Sequence, residues 1–317
     1  MSKVLLTGAF GNLGRYTLEE LLNRGHEVTC FDLPTKSNLK HTRHYEPRAR
    51  LVWGDITRYD EIYDPIKNND VIIHLAALIP PASERNPALA ERVNLQGTKN
   101  IVDAIHSQQR QPWLLFASSV SVYGRNHDSS TRRSIDDPLE ASDHYTSHKI
   151  HCEEYIRAEL KNWTILRLGV MPPPFRMKIE PAMYDLPLDT KIHLLPPREG
   201  ATAFANSVDN LTVQQKTLLI GGNESCQTTY GDYLGRVFNS FGLSLPPPDA
   251  FTTQPYYSYW MDTTESQQLL HYQQHSLDEY CAEVEHRNRF IRPLLRPLSP
   301  LVRWWMGRQS PYLRPKE

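Results

Sequence analysis

The chain is 317 residues long, room for one large α/β domain or two modest ones, so core size excludes no globular class. Lys and Arg number 35 against 36 Asp and Glu, a net charge of -1, and so even a balance argues against a nucleic-acid partner. Cys30, Cys152, Cys226 and Cys281 lie far apart with no Cys-x-x-Cys pair, which reads as reduced thiols of a cytoplasmic protein and no metal site.

The first apolar run, Lys3 to Thr7, is strand-length and stops at Gly8, too short for a signal peptide. Leu13 to Asn23 follows with Leu13, Tyr16, Leu21 and Leu22 near helical spacing, ending at Gly25 as a C-terminal cap. Strand, glycine turn and helix form the first half of a βαβ unit. Gly8 permits a tight turn, Gly11 leaves space for an approaching pyrophosphate, and Gly14 lets helix and strand pack closely. The free N–H groups of the helix start suit the same anion. An ordinary tight loop accounts for the spacing equally well.

Glu27 to Phe31 is a second strand with Asp32 at its carboxyl end. In a dinucleotide fold this acid accepts from the adenosine ribose hydroxyls and favours NAD over NADP. It also suits a simple Asp-Leu-Pro turn, and Lys36, Lys40 and Arg43 nearby could hold a phosphate. Ala49 to Trp53 is a third strand closed by Gly54-Asp55-Ile56, and Asp70 to Leu75 a fourth, followed by the small Ala76 and Ala77. The longest apolar stretch, Val71 to Ile79, is interrupted by His74 and cannot span a bilayer. Pro87 to Gln108 reads as one helix, capped by Asn86, with Leu89, Val93, Ile101 and Ile105 on a shared face. Asn94 and Gly97 break its pattern, either as tolerated surface or as a cofactor-facing pair.

Trp113 to Ala117 is a fifth strand, running into Ser118-Ser119-Val120-Ser121-Val122-Tyr123-Gly124. A polar loop leads to Asp143 and a helix carrying Tyr145 and Lys149, and Trp163 to Leu168 is a sixth strand. This alternation predicts a Rossmann-type α/β fold, a doubly wound parallel sheet over residues 1–168. From Gly169 to 317 prolines punctuate the chain at Pro172-Pro173-Pro174, Pro196-Pro197 and Pro246-Pro247-Pro248, which suits a smaller, irregular substrate-binding portion. Within it residues 201–222 are expected to return to the first domain, with a strand at Thr217 to Ile220. Helices are expected at Tyr230 to Phe241, ended by Gly242, and at Thr263 to Leu270, where Asp262 and Glu265 stand in capping-box spacing, as do Ser276 and Glu279.

Tyr145 and Lys149 stand four apart, so a helix brings them to one face. A phenol has a reference pKa of about 10, and bringing it near 7 takes about 4 kcal/mol. A neighbouring ammonium and a positive nicotinamide ring supply charge of the right sign. Ser119, at the end of the fifth strand, is placed to orient a substrate oxygen against the phenol.

Thr7-Gly8-x-x-Gly11-x-x-Gly14, Gly54-Asp55-Ile56, Ser118-Ser119-x-x-Val122-Tyr123-Gly124 and Tyr145-x-x-x-Lys149 together resemble the extended short-chain dehydrogenase/reductases, the group that holds the NAD-dependent epimerase/dehydratase family. Late in the chain, Asp262-Thr263 leading to Leu269 and Tyr272 is similar to another element of that family. The resemblance implies a catalytic set of Ser119, Tyr145 and Lys149. It implies an NAD site along Gly8, Phe10, Gly11, Asn12, Leu13, Gly14, Asp32, Asp55, Ile56, Leu75, Ala76, Ala77 and Asn94, with Tyr145 and Lys149 reaching the nicotinamide end. It also implies a small-molecule substrate and a homodimer through the helices at Pro87 to Gln108 and His144 to Leu160. Three departures narrow the reaction. Val120 and Ser121 replace the Asp-Glu pair of sugar dehydratases, Val170 stands where many nucleotide-sugar members have Asn, and Thr202-Ala203-Phe204 lack a diphosphate-clamping Arg, the nearest cation being Arg198.

Arg287 to Lys316 mixes arginines with Leu294, Leu295, Leu301, Trp304, Trp305 and Met306. Pro293, Pro297 and Pro300 rule out one long helix, leaving a turn or two from Leu301 onward. The segment suits a tail docked on its own domain or a partner subunit, or a peripheral membrane contact. The expected function is NAD-dependent hydride transfer between nicotinamide and a secondary alcohol or ketone. The alternatives are a nucleotide-sugar epimerase and a cofactor-binding scaffold without turnover. The aromatic run Tyr256-Tyr257-Ser258-Tyr259-Trp260 suits a substrate pocket or plain packing.

Overall fold

The computed structural model describes residues 1–124, 132–172, 181–254, 256 and 258–313. Pro173, Pro174, Tyr257 and Lys316 fall outside these residues. Nine strands are described: β1 (Lys3–Thr7), β2 (Glu27–Asp32), β3 (Arg50–Trp53), β4 (Val71–His74), β5 (Trp113–Ser119), β6 (Trp163–Leu168), β7 (Lys191–His193), β8 (Lys216–Ile220) and β9 (Gln227–Thr229). Seven form a parallel sheet in the order β3-β2-β1-β4-β5-β6-β8, and β7 pairs antiparallel with β9. The order reverses between β1 and β4, so the crevice for a ligand opens at their carboxyl ends.

Both sheet faces are covered, which is why the strands are almost uniformly apolar. Val4, Leu6, Val28, Ile73, Leu115, Leu166 and Leu218 share one core with Leu13, Leu18, Leu21 and Phe204, from the helices Asn12–Asn23 and Pro197–Ser207. Leu5, Ile72, Leu114, Phe116 and Ile165 share the other with Ile62, Ile66, Ile101, Ile105, Cys152 and Ile156. Those last six residues lie on the helices Tyr59–Ile66, Gly97–His106 and His144–Glu159. A third core joins Tyr184, Ile192, Leu194, Tyr233, Phe238, Phe251, Tyr280 and Met306 in the second half of the chain.

Four local expectations change. The helix from Pro87 continues to His106, but Glu91–Gln96 is π-helical, so Asn94 is turned inward and 2 % exposed. Pro196-Pro197 opens a helix rather than a loop, because Pro197 sits in the first turn where its missing N–H costs nothing. For the same reason Pro293, Pro297 and Pro300 each stand at the start of a helical segment, and Ser299–Gln309 is a full 11-residue helix. Asp262 and Glu265 form no capping box: the cap position belongs to Thr263, and Asp262 Oδ1 accepts from Thr264 N at 3.0 Å. The box at Ser276 and Glu279 has both arms. Among the described residues no helix is long and apolar enough to cross a membrane.

Candidate active site

The loop between β1 and the first helix is closed by contacts only glycine allows. Gly8 has φ +68° and donates its N–H to Phe31 O at 3.0 Å. A Cβ on Gly8 would fall 2.8 Å from Ala76 N, and one on Gly14 would fall 2.0 Å from Gly8 O. At Gly11, the N-cap, an added Cβ would meet only Gly8 O, at 3.2 Å. No side chain caps this helix and its first turn has no acid, so its start carries a positive dipole end that no side chain offsets. Asn12 Nδ2 donates to Pro172 O at 3.2 Å, tying the helix mouth to the chain leaving β6. Leu13 offers only backbone here, since its side chain packs toward Gly200.

Asp32 holds this loop from the neighbouring strand. Its Oδ2 accepts from Phe10 N at 2.9 Å, and its Oδ1 accepts from Leu33 N at 2.8 Å and Asn38 Nδ2 at 3.0 Å. Burial pushes its carboxyl above the ordinary value despite those donors. Phe10 has its N–H taken up by Asp32, and its ring lies 5.3 Å from that of Trp53 and 5.9 Å from those of His41 and Tyr45. It therefore shapes the loop rather than offering a donor to a ligand. Asp55 N donates to Glu61 Oε2 at 2.7 Å and Asp55 Oδ1 accepts from Thr57 N at 2.9 Å, while Ile56 is buried against Gly97. Gly97 thus serves helix packing beneath Ile56.

Asn94 does not aim its amide at the crevice. It accepts from Leu78 N at 2.7 Å and donates to Leu78 O at 2.9 Å, so it pins the segment that begins at Leu75, Ala76 and Ala77. Beneath lies a buried chain that the sequence pattern did not reveal. Thr98 Oγ1 donates to Asn94 O at 2.6 Å and has no second proton, so His74 Nε2, 3.0 Å away, is the donor to Thr98. His74 Nδ1 then accepts from Thr7 Oγ1 at 2.7 Å. Burial, and secondarily the Lys149 charge, lower His74 to about 3, so the ring is neutral.

At the end of β5 the three expected catalytic side chains meet. Asp143 starts the helix two residues ahead of Tyr145 with a reciprocal box, accepting from Thr146 N at 2.8 Å while Thr146 Oγ1 accepts from Asp143 N at 3.0 Å. Tyr145 is half-buried, with the Ser119 hydroxyl placed to favour its phenolate form. Ser121 Oγ donates in turn to Ser119 Oγ at 2.8 Å, a partner not anticipated. Lys149 is 4 % exposed and donates from Nζ to Ala117 O at 2.6 Å, with Nζ 5.8 Å from the Tyr145 ring centre. Burial lowers Lys149 to about 8. Burial also raises Tyr145 to about 12, against the lowering influence of the Ser119 hydroxyl. In this geometry Lys149 faces a carbonyl and leaves the phenol weakly acidic, unlike the tuning that its spacing suggests.

One turn beyond Lys149, Glu153 is fully buried and held by two prongs of Arg167, Nε to Oε1 at 3.0 Å and Nη2 to Oε2 at 2.7 Å. Ser118 Oγ donates to Oε1 at 2.6 Å, Arg157 Nη2 to Oε2 at 2.8 Å, and Arg167 Nη1 to the Tyr123 hydroxyl at 2.7 Å. Burial opposes the charge on Glu153, but these donors, Arg167 foremost, hold its carboxyl below the ordinary value. The pair bolts the Tyr145 helix to β5 and β6. Its sequence signal was an arginine inside an otherwise apolar strand and a glutamate four residues after Lys149.

The departures also have a place. Val120 is buried and Ser121 bonds to Ser119, so no carboxylate stands there. Arg198 pairs with Glu283 at 3.5 Å. Tyr259 is buried with its hydroxyl donating to Gly124 O at 3.0 Å, and Trp260 Nε1 donates to Thr228 O at 3.1 Å, so these two aromatics serve packing.

A parallel sheet with a glycine cradle at its switch point and a Ser, Tyr and Lys cluster beside it is the architecture of an extended short-chain dehydrogenase/reductase. The model of the NAD dependent epimerase/dehydratase family matches residues 4–175, more than half of the chain, and the chain belongs to that family. It is 25% identical to the 3 beta-hydroxysteroid dehydrogenase type 7 of Rattus norvegicus over 268 residues, 81% of this chain and 74% of that one. With the enzyme of the same name from Mus musculus it shares 30% identity over 161 residues, 49% of this chain and 42% of the mouse protein's length. The UDP-glucuronic acid 4-epimerase of Bacillus cereus, solved with UDP-glucuronic acid and NAD, superposes with a TM-score of 0.76 at 20% identity, covering 92% of this chain and 99% of that one.

Proposed function

We propose that the protein is an NAD-dependent oxidoreductase that moves hydride between the nicotinamide and a secondary alcohol or ketone. The observation that carries this is the gathering of Ser119, Tyr145 and Lys149 beside the carboxyl end of β5, with Lys149 Nζ 5.8 Å from the Tyr145 ring centre. The cradle fits a dinucleotide: side chains are excluded at Gly8 and Gly14, the helix start has no side-chain cap, and Asp32 ends β2 where a ribose would be gripped. NAD, when bound, supplies the hydride acceptor and a positive charge.

The remaining chemistry belongs to the protein. Tyr145 takes the hydroxyl proton as the alcohol is oxidised and returns it when a ketone is reduced. Ser119, itself held by Ser121, orients the substrate oxygen. Lys149 keeps two N–H donors beyond the one on Ala117 O, enough to engage ribose hydroxyls. Lowering the phenol from about 12 toward neutrality takes roughly 5 units, or about 7 kcal/mol. A unit positive charge at about 5 Å contributes roughly 3 kcal/mol in such surroundings, so the ammonium and a charged ring are both needed.

The absence of a carboxylate at Val120 and Ser121 argues against dehydration, and the engagement of Arg198 with Glu283 argues against a diphosphate clamp. The relatives named as hydroxysteroid dehydrogenases point the same way. A cofactor-coupled screen of lipophilic alcohols, sugars and sugar nucleotides tests the proposal. Net NADH formation with an alcohol, lost by about 100-fold or more in Tyr145→Phe with NADH binding retained, is the expected result. Interconversion of a nucleotide sugar without net NADH would establish the epimerase instead.

A further inference from the structure

We propose that the C-terminal face formed by residues 289–313 docks on an anionic lipid bilayer. Between Glu285 and Glu317 the sequence has no acid, yet it holds eight of the chain's 35 Lys and Arg. All but one of the 36 acids therefore lie before residue 286, and the protein carries a cationic end on an otherwise acidic body. The helices of this segment face inward through Leu295, Val302 and Met306. Outward the helices and the turn before them present Phe290 at 73% exposure, Leu294 at 70%, Leu301 at 62%, Trp304 at 56% and Trp305 at 47%. No other part of the described surface gathers so many large apolar side chains.

Charge and apolar groups are joined in one place. Arg303, Trp304 and Arg308 line an open groove of about 730 Å³ with Pro247 and Leu313, and the Arg308 guanidinium lies 4.5 Å from the Trp304 ring centre. Arg296, Arg303 and Arg308 form no ion pair among the described residues. Contact with a second copy through this face would set like charges against each other, since a two-fold interface meets itself. A nucleic acid would use the arginines and leave the exposed leucines and tryptophans without a partner. A bilayer with anionic headgroups uses both, tryptophan at the headgroup level and each arginine adding attraction near the surface.

The test is co-sedimentation of the full chain with phosphatidylcholine vesicles, alone or with about 30% phosphatidylserine, at about 0.1 M and about 0.5 M salt. Binding is expected only with phosphatidylserine, weakened at high salt and accompanied by a blue shift of tryptophan emission. The triple variant Arg296→Gln, Arg303→Gln, Arg308→Gln should bind roughly 100-fold more weakly, while the Lys versions of the same three retain binding. An unchanged thermal unfolding midpoint shows that the variants fold. Equal sedimentation with neutral and anionic vesicles, no loss in the Gln variant, or preferential retention on a DNA duplex would overturn the proposal.

Discussion

Removing the Glu153 carboxylate isolates what the buried pair behind the catalytic helix is worth. Glu153→Met leaves the Arg167 guanidinium, whose side chain is only 4% exposed, without its counter-charge, and a broken buried pair costs about 3–5 kcal/mol. Arg167→Met leaves the buried carboxylate with Arg157 and Ser118 alone, and costs somewhat less. The double variant, with two apolar side chains of suitable length, orphans the Ser118 and Tyr123 hydroxyls, at about 1 kcal/mol each, and costs the part-exposed Arg157 its carboxylate while leaving its bond to Thr217 Oγ1. It is therefore expected to lose about 2 kcal/mol, far less than the singles combined. Urea denaturation followed by circular dichroism measures all three. A double variant as unstable as the two singles added together would refute the coupling. Because the Glu153 carboxyl titrates below its usual value of 4.5 when folded, its contribution is complete above that pH and fades as pH falls through the lower folded value. The acid limb of the wild-type stability curve should accordingly be steeper than that of the double variant.

Gly14→Ala drives a methyl group into Gly8 O and should weaken NADH binding at least about 100-fold by fluorescence titration, whereas Gly235→Ala, with nothing within 4 Å, should stabilise the helix by about 0.5–1 kcal/mol. With Lys149 lowered to about 8, NADH affinity should fall by up to about tenfold per pH unit above that value, and Lys149→Arg should flatten the profile. A flat wild-type profile to pH 10 would contradict that role. His74 is held neutral to about 3, so the folded protein binds fewer protons than the unfolded chain below 6.5. Stability should then drop by about 4–5 kcal/mol as pH falls from 6.5 toward 3, and His74→Leu should remove that slope whatever its effect at neutral pH.

What the sequence by itself determined is whatever depends on residues a few positions apart. β1, the glycine turn and the first helix follow from an apolar run, from φ-tolerant residues and from 3.6-residue spacing. Tyr145 and Lys149 share a face because four residues make about one helical turn. The parallel sheet follows from strands alternating with helices. The prolines of the second half misled because the same residue breaks a helix interior and begins a helix, and position within the turn decides which. Tertiary structure alone decided the partners of buried polar groups. His74 meets Thr7 only because β1 lies beside β4, bringing together residues 67 positions apart. Asn94 is turned to Leu78 by a π-helical segment with no clear mark in composition. Lys149 bonds to Ala117 O, and Glu153 to Arg167, because β5 and β6 run under the same helix. A buried charge or amide must find a partner, but the sequence names only the group in need, and the strand order names the group that answers it.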